Sequence, residues 1–292
     1  MHMTNSKAID LAALLPLPPS NANKYTRGKL TLVVGGLSYP GAAFLATRAA
    51  QRTGAGYCEV FTAQGNVAKI QTCAPSSVVR CWDDLGRLGV KPSSEHHPTA
   101  CVVGSGFDPD DDEARSQLAY VLGNVQAPVL VDGGAIRMLA TPGLRETVLQ
   151  RAVDGLETVI TPHTGEAIAL AAALPAGIAK TPDLAMCLAN AFKATIVLKG
   201  PDTEIVSGER AYLMTEGTAA LSKAGTGDVL AGIIGSLLAQ RLDGFSAAVL
   251  GTTLHARAGL RAEKEFGIIS VLPEDVVESL PGAIMATAKA GK

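Results

Sequence analysis

Leu30-Thr31-Leu32-Val33-Val34-Gly35-Gly36 is a short apolar, β-branched run that stops on two glycines, and the alanine-rich residues 41–52 (GAAFLATRAAQR) follow it. A strand, a glycine turn and a helix in that order form one βα unit. Gly54-Ala55-Gly56 then leads into Tyr57-Cys58-Glu59-Val60-Phe61-Thr62, a second strand. The alternation continues, with strands expected at 77–81, 100–103, 128–131, 158–160 and 194–198, and helices at 111–122 and 181–192. Strands alternating with helices predict an α/β fold: a mostly parallel central sheet with helices on both faces. A hairpin is expected from Glu204-Ile205-Val206 and Ala211-Tyr212-Leu213 around Ser207-Gly208-Glu209-Arg210. The last third reads as helices at 228–240, 245–263 and 274–279. Residues 1–28, broken by Pro16, Pro18 and Pro19, read as a lead-in to a single domain at 29–292, and residues 91–99 as an exposed loop.

Composition narrows the function. Hydrophobic residues make up 47% of the 292 positions, enough for a sizeable core. Lys+Arg 25 against Asp+Glu 27 leaves a net charge of -2, so no basic surface for nucleic acid is expected. Any bound anion is expected to be held by a few residues and backbone N–H groups. Thirty-one glycines suit tight strand-to-helix turns and close backbone approach to a ligand. The five cysteines (Cys58, Cys73, Cys81, Cys101, Cys187) include no C-x-x-C pair, so neither a zinc knuckle nor a disulfide framework is suggested. They suit a reducing cytosol. No apolar run reaches the ~18 residues of a membrane span, and residues 9–17 lack the basic leader of a signal peptide. A cytoplasmic protein is the expectation.

In open α/β sheets ligands lie beyond the carboxyl ends of the strands, so the motifs at those ends carry the chemistry. The sharpest is Ala224-Gly225-Thr226-Gly227-Asp228-Val229-Leu230-Ala231-Gly232. A glycine turn opening a helix presents free N–H groups and a positive dipole end to an anion. Asp228 beside a phosphate would suit a base facing an acceptor hydroxyl, or a simple first-turn acid. Thr161-Pro162-His163-Thr164-Gly165-Glu166 follows a strand and opens a helix; His163 would face a ligand over the strand ends or serve in a capping network. Lys199-Gly200-Pro201-Asp202-Thr203 at a strand end would meet phosphate or ribose, or form a solvated turn. Asp132, in Val131-Asp132-Gly133-Gly134, would hold magnesium through water or cap the next helix. His255, among alanines and glycines, reads as a packed core or interface histidine. Neither G-x-x-x-x-G-K-[ST] nor a full G-x-G-x-x-G is present, which argues against a P-loop and a Rossmann site.

The order G-G with G-A-A, V-G-S-G, D-G-G-A, T-P-H-T-G-E, L-K-G-x-x-T and A-G-T-G-D-V-L-A-G resembles the ADP- or ATP-dependent NAD(P)H-hydrate dehydratases of the ribokinase-like superfamily. The likeness runs from about Lys24 to Pro281. It implies repair of the S-form of hydrated NADH and NADPH: ADP or ATP phosphorylates the hydrate hydroxyl, and phosphate is then lost to restore the double bond. Phosphorylation turns a poor leaving group, hydroxide, into a good one. By the same resemblance Asp228 would activate the hydroxyl, and Gly225, Thr226 and Gly227 would hold the transferred phosphoryl. Lys199, Gly200, Pro201, Asp202 and Thr203 would bind the nucleotide. Ala42, Gly106 and His163, with Asp228, would bind the hydrate. Mg2+ is implied, offsetting phosphate charge. So are a homo-oligomer, expected as a tetramer, and a separate NAD(P)H-hydrate epimerase as functional partner.

Three departures stand out. The family's G-P-G-L-G reads Gly104-Ser105-Gly106-Phe107-Asp108, its D-A-D-A-L reads Asp132-Gly133-Gly134-Ala135-Ile136, and Leu37 replaces a small polar residue. Two rival readings share these features: a small-alcohol kinase of the same superfamily, which would release a stable phosphoester, and a nucleotide sensor without catalysis. The small-residue stretch 232–239 is expected to permit close helix packing, including self-association.

Overall fold

The computed structural model describes residues 9–174 and 183–290. In chain order it contains β1 (Lys29–Val33), α1 (Pro40–Arg52), β2 (Tyr57–Thr62), α2 (Val67–Cys73), β3 (Val78–Cys81), α3 (Leu85–Leu88), β4 (Thr99–Val103) and α4 (Asp112–Asn124). There follow β5 (Val129–Val131), α5 (Gly134–Met138), α6 (Pro142–Val153), β6 (Thr158–Ile160), α7 (Thr164–Ala172), α8 (Leu184–Phe192) and β7 (Thr195–Leu198). The chain ends with β8 (Thr203–Ser207), β9 (Arg210–Met214), α9 (Thr226–Ala239), α10 (Gly244–Phe266) and α11 (Pro273–Ala290). The first positions of the helix expected at 181–192 lie outside the described residues.

One nine-stranded sheet runs in the order β3-β2-β1-β4-β5-β6-β7-β8-β9. All pairings from β3 to β7 are parallel, and the β8–β9 hairpin adds two antiparallel strands at one edge. Ser207 pairs with Arg210, so the hairpin turns on Gly208 and Glu209 alone. The chain moves outward from β1 to β3, then returns to place β4 on the other side of β1. Beyond the carboxyl ends of β1 and β4 lies the switch in strand order where such sheets hold ligands.

The period of two along each strand fills two cores. Leu30, Leu32, Ala100, Val102, Leu130 and Val159 face α1, α9, α10 and α11. Val33, Cys101, Val103, Val129, Val131 and Ile160 face α4 to α8. Strands buried on both faces explain the continuous apolar runs in the sequence. Ahead of β1, Leu15 joins the first core, with Ile9, Leu11 and Leu14 packed against it.

Two helices differ from expectation. The short helix expected at 274–279 is instead α11, 18 residues long with Pro281 inside it. A proline mid-helix loses a hydrogen bond and costs ~3 kcal/mol. Here Val276, Val277, Leu280, Ala283 and Thr287 are buried along one helical face, and that burial outweighs the loss. Helix α9 was expected to offer a self-association surface. Every residue from Val229 to Ala239 is instead buried inside the chain, and Gly232 lies so close to α1 that a Cβ there would sit 2.2 Å from the Ala46 carbonyl oxygen.

A buried cation joins the second core to its loops. Arg151, 2% exposed, sends its guanidinium into the α4–β5 connection. Nη1 donates to the carbonyls of Val125 (2.7 Å) and Leu122 (3.4 Å), and Nη2 to those of Ala127 (2.7 Å) and Glu157 (3.4 Å). Nε donates to Thr158 Oγ1 at 3.2 Å. Burial lowers its pKa from the ordinary guanidinium value. No helix among the described residues is long and apolar enough to cross a membrane.

Candidate active site

The carboxyl ends of β4, β5, β6 and β7 and the amino end of α9 converge on one place. Gly225 begins α9 with φ +98, a left-handed conformation that glycine adopts without strain. A Cβ there would also lie 2.8 Å from Leu45 Cδ1 and 2.9 Å from Pro273 Cγ. Thr226 anchors the turn, its hydroxyl reaching the carbonyls of Leu221 (2.7 Å) and Lys223 (2.9 Å). No side chain caps the helix start; the Thr226 N–H turns back to the Lys223 carbonyl at 3.3 Å, and Gly227 and Asp228 line the adjoining cavity.

Lys199 leaves β7 beside this turn. Its backbone N–H donates to the Pro162 carbonyl at 2.8 Å, which pins the end of β7 to the segment after β6. Its Nζ donates to Asp132 Oδ1 at 3.1 Å and lies 3.6 Å from where a Cβ on Gly227 would be. The ammonium therefore stands at the lip of the glycine turn. Burial works to lower its pKa, but the carboxylates of Asp132, Glu166 and Asp228 outweigh it, and the pKa rises.

Asp132 follows β5 and is 2% exposed. Ser105 Oγ donates to its Oδ2 at 2.8 Å and Thr161 Oγ1 to its Oδ1 at 2.6 Å. The helix after it starts from Gly133 without a side-chain cap. Of its two expected roles the capping one is thereby excluded: the carboxylate points into the site. Asp228, in the first turn of α9, faces the same space. Burial pushes its carboxyl up, the Asp132 charge adds to this, Lys199 and Ser105 oppose it, and the pKa reaches about 7. A carboxyl poised there suits proton transfer at neutral pH.

His163 serves in the capping network foreseen for it and also borders the site. Its Nδ1 accepts from the N–H groups of Gly165 (3.0 Å) and Glu166 (3.3 Å), while Glu166 accepts from the His163 N–H at 2.8 Å. The half-exposed ring also sets Nε2 3.6 Å from Glu166 Oε1, and its outer face lines both cavities described next.

Two adjoining cavities meet at these residues. One, of about 460 Å³, is lined by Asp132, Gly133, Asp228 and the glycine turn. The other, of about 570 Å³, is lined by Gly200, Pro201, Thr203, Met214, Leu230 and His255 among others. His163, Lys199, Leu221, Ser222, Thr226 and Gly227 line both, and form the boundary between them. A third hollow, of about 420 Å³, lies at the opposite, amino-terminal end of the strands, beside Pro98, Pro128 and Arg241.

The remaining expected residues fall into two places. Ala42 and Gly106 meet at the strand-order switch, where a Cβ on Gly106 would be 2.7 Å from that of Ala42. They line neither cavity but adjoin Ser105, which reaches Asp132. Asp202 is exposed on the turn before β8 and lines neither cavity. Ser105, present through a departure from the family's usual loop, was not expected in the site; its partner lies 27 residues away, beyond the reach of a local motif. His255 was expected only as a packed residue, and it lines the larger cavity.

The sequence model of the family described as NAD(P)H-hydrate dehydratase matches residues 30–282. The chain is 29% identical, over 92% of each protein, to the ADP-dependent (S)-NAD(P)H-hydrate dehydratase of Xanthomonas campestris pv. campestris. It is 34% identical to the bifunctional NAD(P)H-hydrate repair enzyme Nnr of Mycobacterium leprae, over 86% of this chain and 49% of that one. It thus spans about half the length of its bifunctional relatives. In fold it is similar to the crystal structure of ADP/ATP-dependent NAD(P)H-hydrate dehydratase from Bacillus subtilis co-crystallized with ATP/Mg2+, with a TM-score of 0.79 at 24% identity, covering 95% of this chain and 96% of that one.

Proposed function

This chain belongs to the NAD(P)H-hydrate dehydratase family, and from that premise we propose that it repairs hydrated NADH and NADPH by ADP- or ATP-dependent dehydration. One observation carries the reading at residue level: two cavities share a boundary that includes Lys199, Thr226 and Gly227, with a carboxyl of pKa about 7 on one side only. The larger cavity takes the nucleotide, against Gly200, Pro201 and Thr203. The smaller takes the hydrated ring, against Asp132, His163 and Asp228, and the hydrate would extend from there toward Ala42 and Gly106 at the strand-order switch. The terminal phosphoryl lies across the wall, met by Lys199 and the N–H groups that open α9.

The hydrate hydroxyl then attacks phosphorus. The new O–P bond forms as the bond to the departing nucleotide breaks, and Asp228 takes the hydroxyl proton. In the second step the ring C–O bond breaks, phosphate leaves with the electron pair, and a proton is lost from the adjacent ring carbon to restore the double bond.

Magnesium fits this reading as an ion carried by the nucleotide phosphates. No cluster of three metal-ligating side chains exists among the described residues, and Mg2+ characteristically takes one or two carboxylates plus substrate phosphates. Asp132 and Asp228 are the carboxylates that border the phosphoryl position, and the ion would neutralise charge there. Cytoplasmic residence, a homotetramer and a separate epimerase partner belong to the same proposal.

The test mixes the purified protein with hydrated NADH, Mg2+ and either ADP or ATP, and follows the absorbance of reduced nicotinamide. Recovery of absorbance is expected, with the competent nucleotide naming the donor. Nucleotide consumption without recovery, and accumulation of a stable phosphoester, would instead establish the small-alcohol kinase.

A further inference from the structure

Two departures from the family pattern lie in contact. Ser105 stands where the pattern has proline, and Gly134 where it has its second acid. The 104–107 loop closes over the start of α5. A Cβ on Gly134 would sit 2.1 Å from the Phe107 carbonyl oxygen, and one on Gly133 would sit 2.8 Å from that of Gly104. An acid at 134 therefore has no room in this chain. The same loop brings Ser105, fully buried, to Asp132, and its hydroxyl donates to Oδ2 at 2.8 Å. A proline at 105 would have no hydroxyl to offer.

Asp132, itself buried, takes donors from three other strand ends. Thr161, after β6, and Lys199, after β7, both donate to Oδ1, at 2.6 and 3.1 Å. Ser105, after β4, is the sole donor to Oδ2 among the described residues. The Lys199 ammonium makes no other hydrogen bond among the described residues, and Lys199 lines both cavities. A buried carboxylate oxygen needs a donor. If the serine did not supply it, the flexible, three-donor ammonium would be drawn inward to do so. We propose that Ser105 is a positioning residue in this chain: by holding Asp132 Oδ2 it keeps the Lys199 ammonium on Oδ1, at the lip of the glycine turn, where it meets the terminal phosphate. The inference rests on the nucleotide reading of the site and adds to it a residue that touches no nucleotide.

Titration calorimetry with Mg2+–ADP, Mg2+–ATP and AMP, on the natural protein, S105A, K199M and the double variant, is the measurement. S105A is expected to bind the di- or triphosphate about tenfold more weakly, the size of one hydrogen bond to a charged group. Its affinity for AMP, which lacks the transferable phosphate, should be unchanged. In the K199M background the same substitution should alter nothing, because the group through which Ser105 acts is gone. A merely structural serine would weaken all three nucleotides alike, and would do so in both backgrounds. Either result overturns the proposal, as does natural affinity in S105A, and each leaves the dehydratase reading intact. Absence of nucleotide binding by the natural protein would overturn both. If K199M binds too weakly to measure, the comparison with AMP decides. If S105A does not fold, S105P, which installs the family's residue without the hydroxyl, carries the same comparison.

Discussion

Asp228 combines two opposed demands in one side chain. Catalysis needs a carboxylate near the phosphoryl, while burial and Asp132 resist its ionisation and hold its pKa at about 7. If it is the base, kcat/KM should climb about tenfold per pH unit below that value and flatten above it. A rate indifferent to pH across that window would exclude the role. Stability should move the other way. The unfolded carboxyl ionises near 3.8, so as pH rises from about 4 to about 7 the unfolded chain gives up a proton that the folded chain keeps, and stability falls. Three units at ~1.4 kcal/mol each put the loss on the order of a few kcal/mol. D228N carries no such proton. It should lose at least about 100-fold in kcat, yet be more stable than the natural chain at about pH 8, with the difference shrinking toward pH 4; denaturant unfolding at the two pH values reads this directly. Asp228 and its glycines were legible in the sequence because their chemistry is contiguous. Ser105 was not, because what gives it a role, the Asp132 carboxylate, comes from another element.

Helices were legible to the extent that their own residues decide them. Continuous apolar, β-branched runs marked the strands, and the alanine-rich run at 41–52 marked α1. The full length of α11 escaped because Pro281 is a local stop signal that tertiary burial overrides. Packing between helices also decides what a glycine means. In α9, G232A would drive a Cβ to 2.2 Å from the Ala46 carbonyl oxygen, so the backbones of α1 and α9 would have to part. In α4, Gly123 is exposed and a Cβ there meets nothing within 4 Å. The same substitution should therefore carry opposite signs: G232A destabilising by about 2–3 kcal/mol or more, G123A stabilising by about 0.5–1 kcal/mol. Urea midpoints for both variants give the comparison, and a neutral G232A would mean that α1 and α9 can separate more easily than their contact suggests.

For the whole molecule, the alternation of strands and helices was readable but their lateral order was not. Nothing local in Gly104-Ser105-Gly106 shows that it returns beside Gly35-Gly36 after two further strands, yet that return places Ser105 against Asp132 and brings Ala42 to Gly106. The site is thus assembled from four strand ends and a helix start, with the end of β1 beside them. Arg151 shows what such assembly means over time. The carbonyls of Leu122, Val125 and Ala127 are met by a guanidinium 24 to 29 residues further along the chain, beyond β5 and α5 and near the end of α6. Opening the loop therefore means giving up its bonds to α6. In hydrogen exchange, the amides around residues 122–128 and those of β6 should share one opening free energy, as a single cooperative unit. R151K keeps the charge but not the planar fork; it should release the loop first and split that unit into two rates.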